Sequence, residues 1–151
     1  MAEKYYVEVN GNGTFWYAWP GTERKLHRLG SPAIEYTDGY RVWYHNGQRH
    51  RLDGPALEYA DGHREWYQNG QWHRLDGPAV ELSDGYRAWF QNGQRHRIDG
   101  PAIEYAAGTK EWWLNGEQHT EESWRAATQP AVEMTVAEIE AALGKRVKVV
   151  K

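Results

Sequence analysis

The chain returns to the same string every 23 residues. His50-Arg51-Leu52-Asp53-Gly54-Pro55-Ala56 recurs as His73-Arg74-Leu75-Asp76-Gly77-Pro78-Ala79 and again as His96-Arg97-Ile98-Asp99-Gly100-Pro101-Ala102. A looser copy opens at His27-Arg28-Leu29-Gly30-Ser31-Pro32-Ala33. Between these strings, Asp38-Gly39, Trp43-Tyr44 and Asn46-Gly47 return as Asp61-Gly62, Trp66-Tyr67 and Asn69-Gly70. A fixed period of this size belongs to an array of small units, each packed on its neighbours, rather than to a single globular core. Function then has to come from a repeated surface or from whatever breaks the repetition.

One unit reads as a β-hairpin plus a linker. Ala56-Leu57-Glu58-Tyr59 alternates as a strand does, Ala60-Asp61-Gly62 turns, and His63-Arg64-Glu65-Trp66-Tyr67 returns. Gln68-Asn69-Gly70-Gln71 is a second turn, Trp72-His73-Arg74 a short extended piece, and Asp76-Gly77-Pro78 a third turn. Asp-Gly and Asn-Gly accept positive φ and are strong hairpin signals. A type I turn with a glycine bulge at Gly62 sets Glu58 opposite Arg64, whereas a two-residue loop sets Tyr59 there. The first register also opposes Glu35 to Arg41, Glu81 to Arg87 and Glu104 to Lys110, so it is the one expected. One face then carries Ala, Glu, Arg and Trp almost unvaryingly, and the other varies from unit to unit. Two readings of the unvarying face follow. In the architectural one, each Trp packs on the next and an Arg braces it. In the other, Arg41, Trp43, Arg64, Trp66, Arg87, Trp89, Lys110 and Trp112 form a platform for a ligand or partner.

The aromatic content suits a thin structure of this kind. Nine Trp and ten Tyr against two Phe, with a mean hydropathy of −0.92, point to amphipathic rings rather than a thick aliphatic core. Net charge is −3, from 18 basic and 21 acidic residues. That balance argues against gripping a nucleic-acid backbone. No cysteine is present, which excludes disulfides, zinc thiolates and a thiol nucleophile. No apolar run resembles a signal peptide or a membrane span, so a soluble cytoplasmic protein without membrane contact is expected.

Both ends depart from the period. Residues 1–26 read as a degenerate entry unit, residues 27–118 as four hairpin repeats, and residues 119–151 as a distinct C-terminal element. Within that element Thr120 is an N-cap for a short helix near 120–127, and Thr135-Val136-Ala137-Glu138 is a capping box for a second helix over 135–143 that Gly144 ends. Lys145 to Lys151 alternates basic and apolar residues and reads as a strand. Ile139, Leu143, Arg146, Val147, Lys148 and Val149 are the residues expected to mediate assembly, because such a strand can add to a sheet edge.

The string Gly-x-x-x-Trp-Tyr-x-Asn-Gly-x-x-His-Arg-x-Asp-Gly-Pro-Ala, carried nearly intact by Gly39–Ala56, Gly62–Ala79 and Gly85–Ala102, resembles MORN-type repeats, in the variant form seen in bacterial and phage proteins. The resemblance implies an elongated, twisted antiparallel sheet of stacked hairpins. It also implies a scaffold, dimerisation surface or partner-binding module. The segment from Val136 to Val150 looks like tails of small phage proteins, which implies a host cytosol and a counter-defence setting.

Histidines recur at the period, as His27, His50, His73, His96 and His119. Metal ligands must converge on one ion, whereas successive hairpins lie about 10 Å apart. The expected role is a hydrogen bond to a turn carbonyl or to the Asp three residues on. His50, His73 and His96 are nevertheless kept as candidate partner contacts. No nucleophile elbow, phosphate loop or zincin helix is present, and near-identical units lack the asymmetric cluster that catalysis needs. The sequence therefore points to a non-catalytic repeat-type binder without cofactor or metal. Its expected partner is a protein, either another chain that it blocks or scaffolds, or its own copy in a homodimer. The second reading is sequestration of a small anionic ligand such as a nucleotide signal, on aromatic and Arg surfaces. An enzyme is the outside reading.

Overall fold

The computed structural model describes residues 5–18, 23–129 and 135–146. The fold is mainly β, with one open twelve-stranded antiparallel sheet built from hairpins and two short helices at the C-terminal side. Along the sheet, strands follow chain order. Tyr6–Asn10 pairs with Gly13–Ala18, and the ladder continues through Ile34–Tyr36 and Arg41–Val42 to Lys110–Leu114 and Glu117–His119. Lys25–Leu26 adds to Gly13–Ala18 off this path.

Each repeat makes two hairpins, not one. At the Asp-Gly end, Tyr59 N–H donates to the His63 carbonyl (3.0 Å) and Gly62 N–H to the Tyr59 carbonyl (3.1 Å), with Gly62 at φ +93°. This is the type I turn with a glycine bulge. The four expected registers hold: Glu35 faces Arg41, Glu58 faces Arg64, Glu81 faces Arg87 and Glu104 faces Lys110. At the other end Asn69 (φ 49°) and Gly70 (φ 79°) both take positive φ, the signature of a type I′ turn. The turn closes a two-residue ribbon, Tyr67–Gln68 on Gln71–Trp72, outside the main sheet. The ladder breaks at Trp66 between the two hairpins. There the Trp66 N–H reaches forward to the Ala79 carbonyl of the next unit at 2.8 Å, as Trp43 does to Ala56 and Trp89 to Ala102.

The face that varies in sequence is the core. Ile34, Leu57, Val80 and Ile103 are buried in line, beside Val42, Ala88, Tyr67 and Phe90. The invariant face is covered instead by the linkers, and Ala33, Ala56, Ala79 and Ala102 have no exposed surface at all. No larger side chain fits at those four positions without displacing the linker.

The C-terminal element begins with α1, Glu121–Thr128, capped by the Thr120 hydroxyl accepting from Ser123 N–H. The second helix, α2, spans Val136–Leu143 with the expected reciprocal capping box of Thr135 and Glu138, and Gly144 ends it at φ 63°. The expected strand from Lys145 onward is not formed at Lys145 and Arg146. Val147, Lys148 and Val149 lie outside the described residues.

Candidate functional site in the linker grooves

The repeated linker is a clasp built on one arginine. The guanidinium of Arg51 lies 4.1 Å over the Trp43 ring, donates from Nε to Asp53 Oδ1 (2.9 Å), and from Nη1 to the Pro55 carbonyl and Glu58 Oε1 (both 3.1 Å). Arg74 repeats this over Trp66 at 4.0 Å, and Arg97 over Trp89 at 3.9 Å. Planar bidentate donation combined with stacking is chemistry that lysine does not reproduce. Gly77 is required at the clasp because a Cβ there would sit 2.8 Å from the Arg74 guanidinium carbon. Pairing with Arg51 and Arg74 holds the carboxyls of Asp53 and Asp76 below the usual carboxylate range.

The histidines tie one unit to the next. Asn69 N–H donates to His50 Nδ1 at 3.1 Å, and the same contact joins His27 to Asn46, His73 to Asn92 and His96 to Asn115. The partner is thus the type I′ turn nineteen residues on. The contact is to the turn Asn, whose backbone N–H donates to Nδ1 and whose side-chain Oδ1 lies 3.0 Å from it at His50, rather than to the nearby Asp, whose carboxylate already accepts from the linker arginine.

The structure separates the strand arginines from the tryptophans expected to work beside them. Trp43 is buried and Trp66, Trp89 and Trp112 are half-buried, and among the described residues no ring of this row contacts the next. What braces Trp43, Trp66 and Trp89 is the linker guanidinium, not its neighbour's indole. Arg41, Arg64, Arg87 and Lys110 stand exposed, and the carboxylate of Glu58 closes on Arg51 at 3.1 Å, with Arg41 farther off at 3.8 Å.

Between successive linkers run open grooves. Three of them, of about 330, 460 and 570 Å³, are floored in turn by Trp43, Trp66 and Trp89. Their rims carry Leu29, Leu52, Leu75 and Ile98, which are 60%, 75%, 75% and 64% exposed. The four exposed aliphatics thus recur at one structural position along the array. The sequence shows these residues plainly at position three of each linker. Nothing in the string tells that this position points outward.

A second cluster breaks the symmetry. Glu65 occupies the core-side position that Val42 and Ala88 hold in the neighbouring units. Its Oε2 accepts from Tyr67 Oη (2.7 Å) and Trp72 Nε1 (2.8 Å), while His63 Nε2 lies 3.0 Å from Oε1, off the line of a hydrogen bond. Burial and the Glu65 hydrogen bond push the Tyr67 hydroxyl well above its ordinary range. Glu111 repeats part of the arrangement with Tyr105 and Trp113, both at 2.8 Å. Glu65 Oε2 takes two ring donors and Glu111 takes one on each oxygen, so both carboxylates tie rings of the unit together.

Comparison of the chain with protein-family models, with curated proteins and with solved structures finds no match. Among the described residues no helix is long and apolar enough to cross a membrane.

Proposed function

We propose that this protein is a non-catalytic, MORN-like binding array that engages a partner protein through its row of linker grooves. The observation that carries this reading is the alignment of Leu29, Leu52, Leu75 and Ile98, all exposed, above grooves that repeat the same floor and walls. Strictly repeated units give equal sites spaced about 10 Å apart, suited to an elongated partner rather than to one small molecule. The test is co-purification of the full chain beside the double variant Leu52→Glu/Leu75→Glu. A stoichiometric protein retained by the parent and lost by the variant supports the reading. A nucleotide released from the parent on heating, with no protein band, overturns it in favour of the small-ligand reading.

A further inference from the structure

The chain itself brings one tryptophan to a linker carbonyl. At the end of the array α1 replaces the fifth linker, and Trp124 on that helix is buried to 5% exposure. Its indole Nε1 donates to the Arg97 carbonyl at 2.8 Å. That carbonyl belongs to a linker whose backbone repeats without change: Arg51 N–H donates to the Tyr67 carbonyl, Arg74 N–H to that of Phe90 and Arg97 N–H to that of Trp113, at 3.1, 3.1 and 3.2 Å. Arg51 lines the second groove and Arg74 the third, each in the linker position that Arg97 holds where its carbonyl takes the Trp124 indole N–H. Among the described residues no donor reaches the Arg51 or the Arg74 carbonyl. A carbonyl that lines an open groove can exchange water for a donor that a ligand brings.

We infer that the grooves floored by Trp43, Trp66 and Trp89 each receive a tryptophan side chain of the partner protein, with its indole N–H donated to the linker arginine carbonyl as Trp124 donates to Arg97. This rests on the protein-binding reading above and names the partner's chemistry. The charge at the rim adds a second requirement. Arg51 and Arg74 are committed to Asp and Glu partners in the clasp, whereas Asp53 and Asp76 are 83% and 86% exposed at their side chains. Asp53 and Asp76 line the second groove with these exposed carboxylates, so a partner tryptophan flanked by Lys or Arg would meet opposite charge there. The groove spacing of about 10 Å matches seven residues of helix at 1.5 Å each. Tryptophans seven apart on one basic helix would enter neighbouring grooves.

The test uses the full chain, labelled with nitrogen-15, titrated with indole and with N-methylindole, which has a similar shape but no donor. Indole is expected to shift the amides of Leu52, Asp53, Leu75 and Asp76 saturably, with a Kd on the order of 1 mM for so small a ligand. N-methylindole should bind about fivefold more weakly, the value of one net hydrogen bond. The tripeptide Lys-Trp-Lys should bind more tightly than Glu-Trp-Glu. Leu52→Glu/Leu75→Glu, altered only at exposed side chains, should fold as the parent does and lose the shifts. Shifts that do not saturate, shifts elsewhere, or equal affinity for the two indoles overturn the inference. In the Trp124→Ala variant, indole should raise the thermal midpoint and N-methylindole should not. An equal rise with both removes the carbonyl from the argument. If a partner protein is captured through Leu52 and Leu75 while indole fails, the binding function stands and the tryptophan chemistry falls. If indole binds and no partner is captured, the reverse holds.

Discussion

At the scale of single residues, the tryptophans divide by what lies on their faces. Trp66 has Ala79 behind its backbone amide and Arg74 over its ring, so Trp66→Ala removes a floor and strands a guanidinium. It should cost about 3–5 kcal/mol in chemical denaturation. Trp72, 36% exposed on the outer ribbon, should cost clearly less in the same measurement, mainly through its lost hydrogen bond to Glu65. The clasp aspartates give a pH signature. Their folded-state carboxyls titrate below the ordinary range, so their contribution is complete above the unfolded carboxylate pKa and is lost as pH falls through the lower, folded value. Thermal midpoints of the parent should therefore fall below about pH 4 more steeply than those of Asp53→Asn/Asp76→Asn. Parallel curves would show that the exposed carboxylates contribute nothing to stability.

At the scale of the element, the linker is a clasp rather than a turn between strands, and glycine makes it possible. Gly77→Ala should push the Arg74 guanidinium off Trp66 and away from Asp76 and Glu81, lowering stability by about 1–2 kcal/mol at unchanged denaturant slope. Arg74→Met should show a loss of similar size, and the double variant little more than either, because both remove one contact set. How much of this was legible in the sequence depends on the range of the interaction. The Asp-Gly bulge, the four Glu-to-Arg registers, the Thr120 and Thr135 caps and the Gly144 terminus are fixed within a few residues, and the string sufficed for each. The direction of Arg51 was not legible, since its partners Trp43 and Glu58 lie eight and seven positions away on opposite sides. Nor was the His50-to-Asn69 contact, which crosses nineteen residues into another unit. The outward row of Leu29, Leu52, Leu75 and Ile98 escaped for the same reason, since their exposure is decided by how the linker folds back. The invariant strand arginines drew attention to a face whose tryptophans the linkers already cover.

At the scale of the molecule, the hydrogen bonds between the described repeats join each unit to the next, and stability should be close to a sum over units and their interfaces. Excision of residues 57–79, one full period, should therefore leave a folded chain. Circular dichroism should keep its β signature, with a lower midpoint and one groove fewer. Failure to fold would mean that the units are not interchangeable, and the Glu65 lock would be the first suspect. Truncation after Gln129, which keeps α1 and its Trp124, should preserve the β signal. Truncation after Gln118 should destabilise the last unit, because it uncovers the Arg97 carbonyl and the groove beside it. The same nearest-neighbour design has a genetic corollary. In-frame slippage of one 23-codon block during replication adds or removes a reading position for the partner without altering any contact inside the others. On the proposed binding reading, the length of the array would act as a ruler, marked in steps of about 10 Å, on which a lineage could adjust how far along a partner it reaches by changing copy number instead of changing side chains.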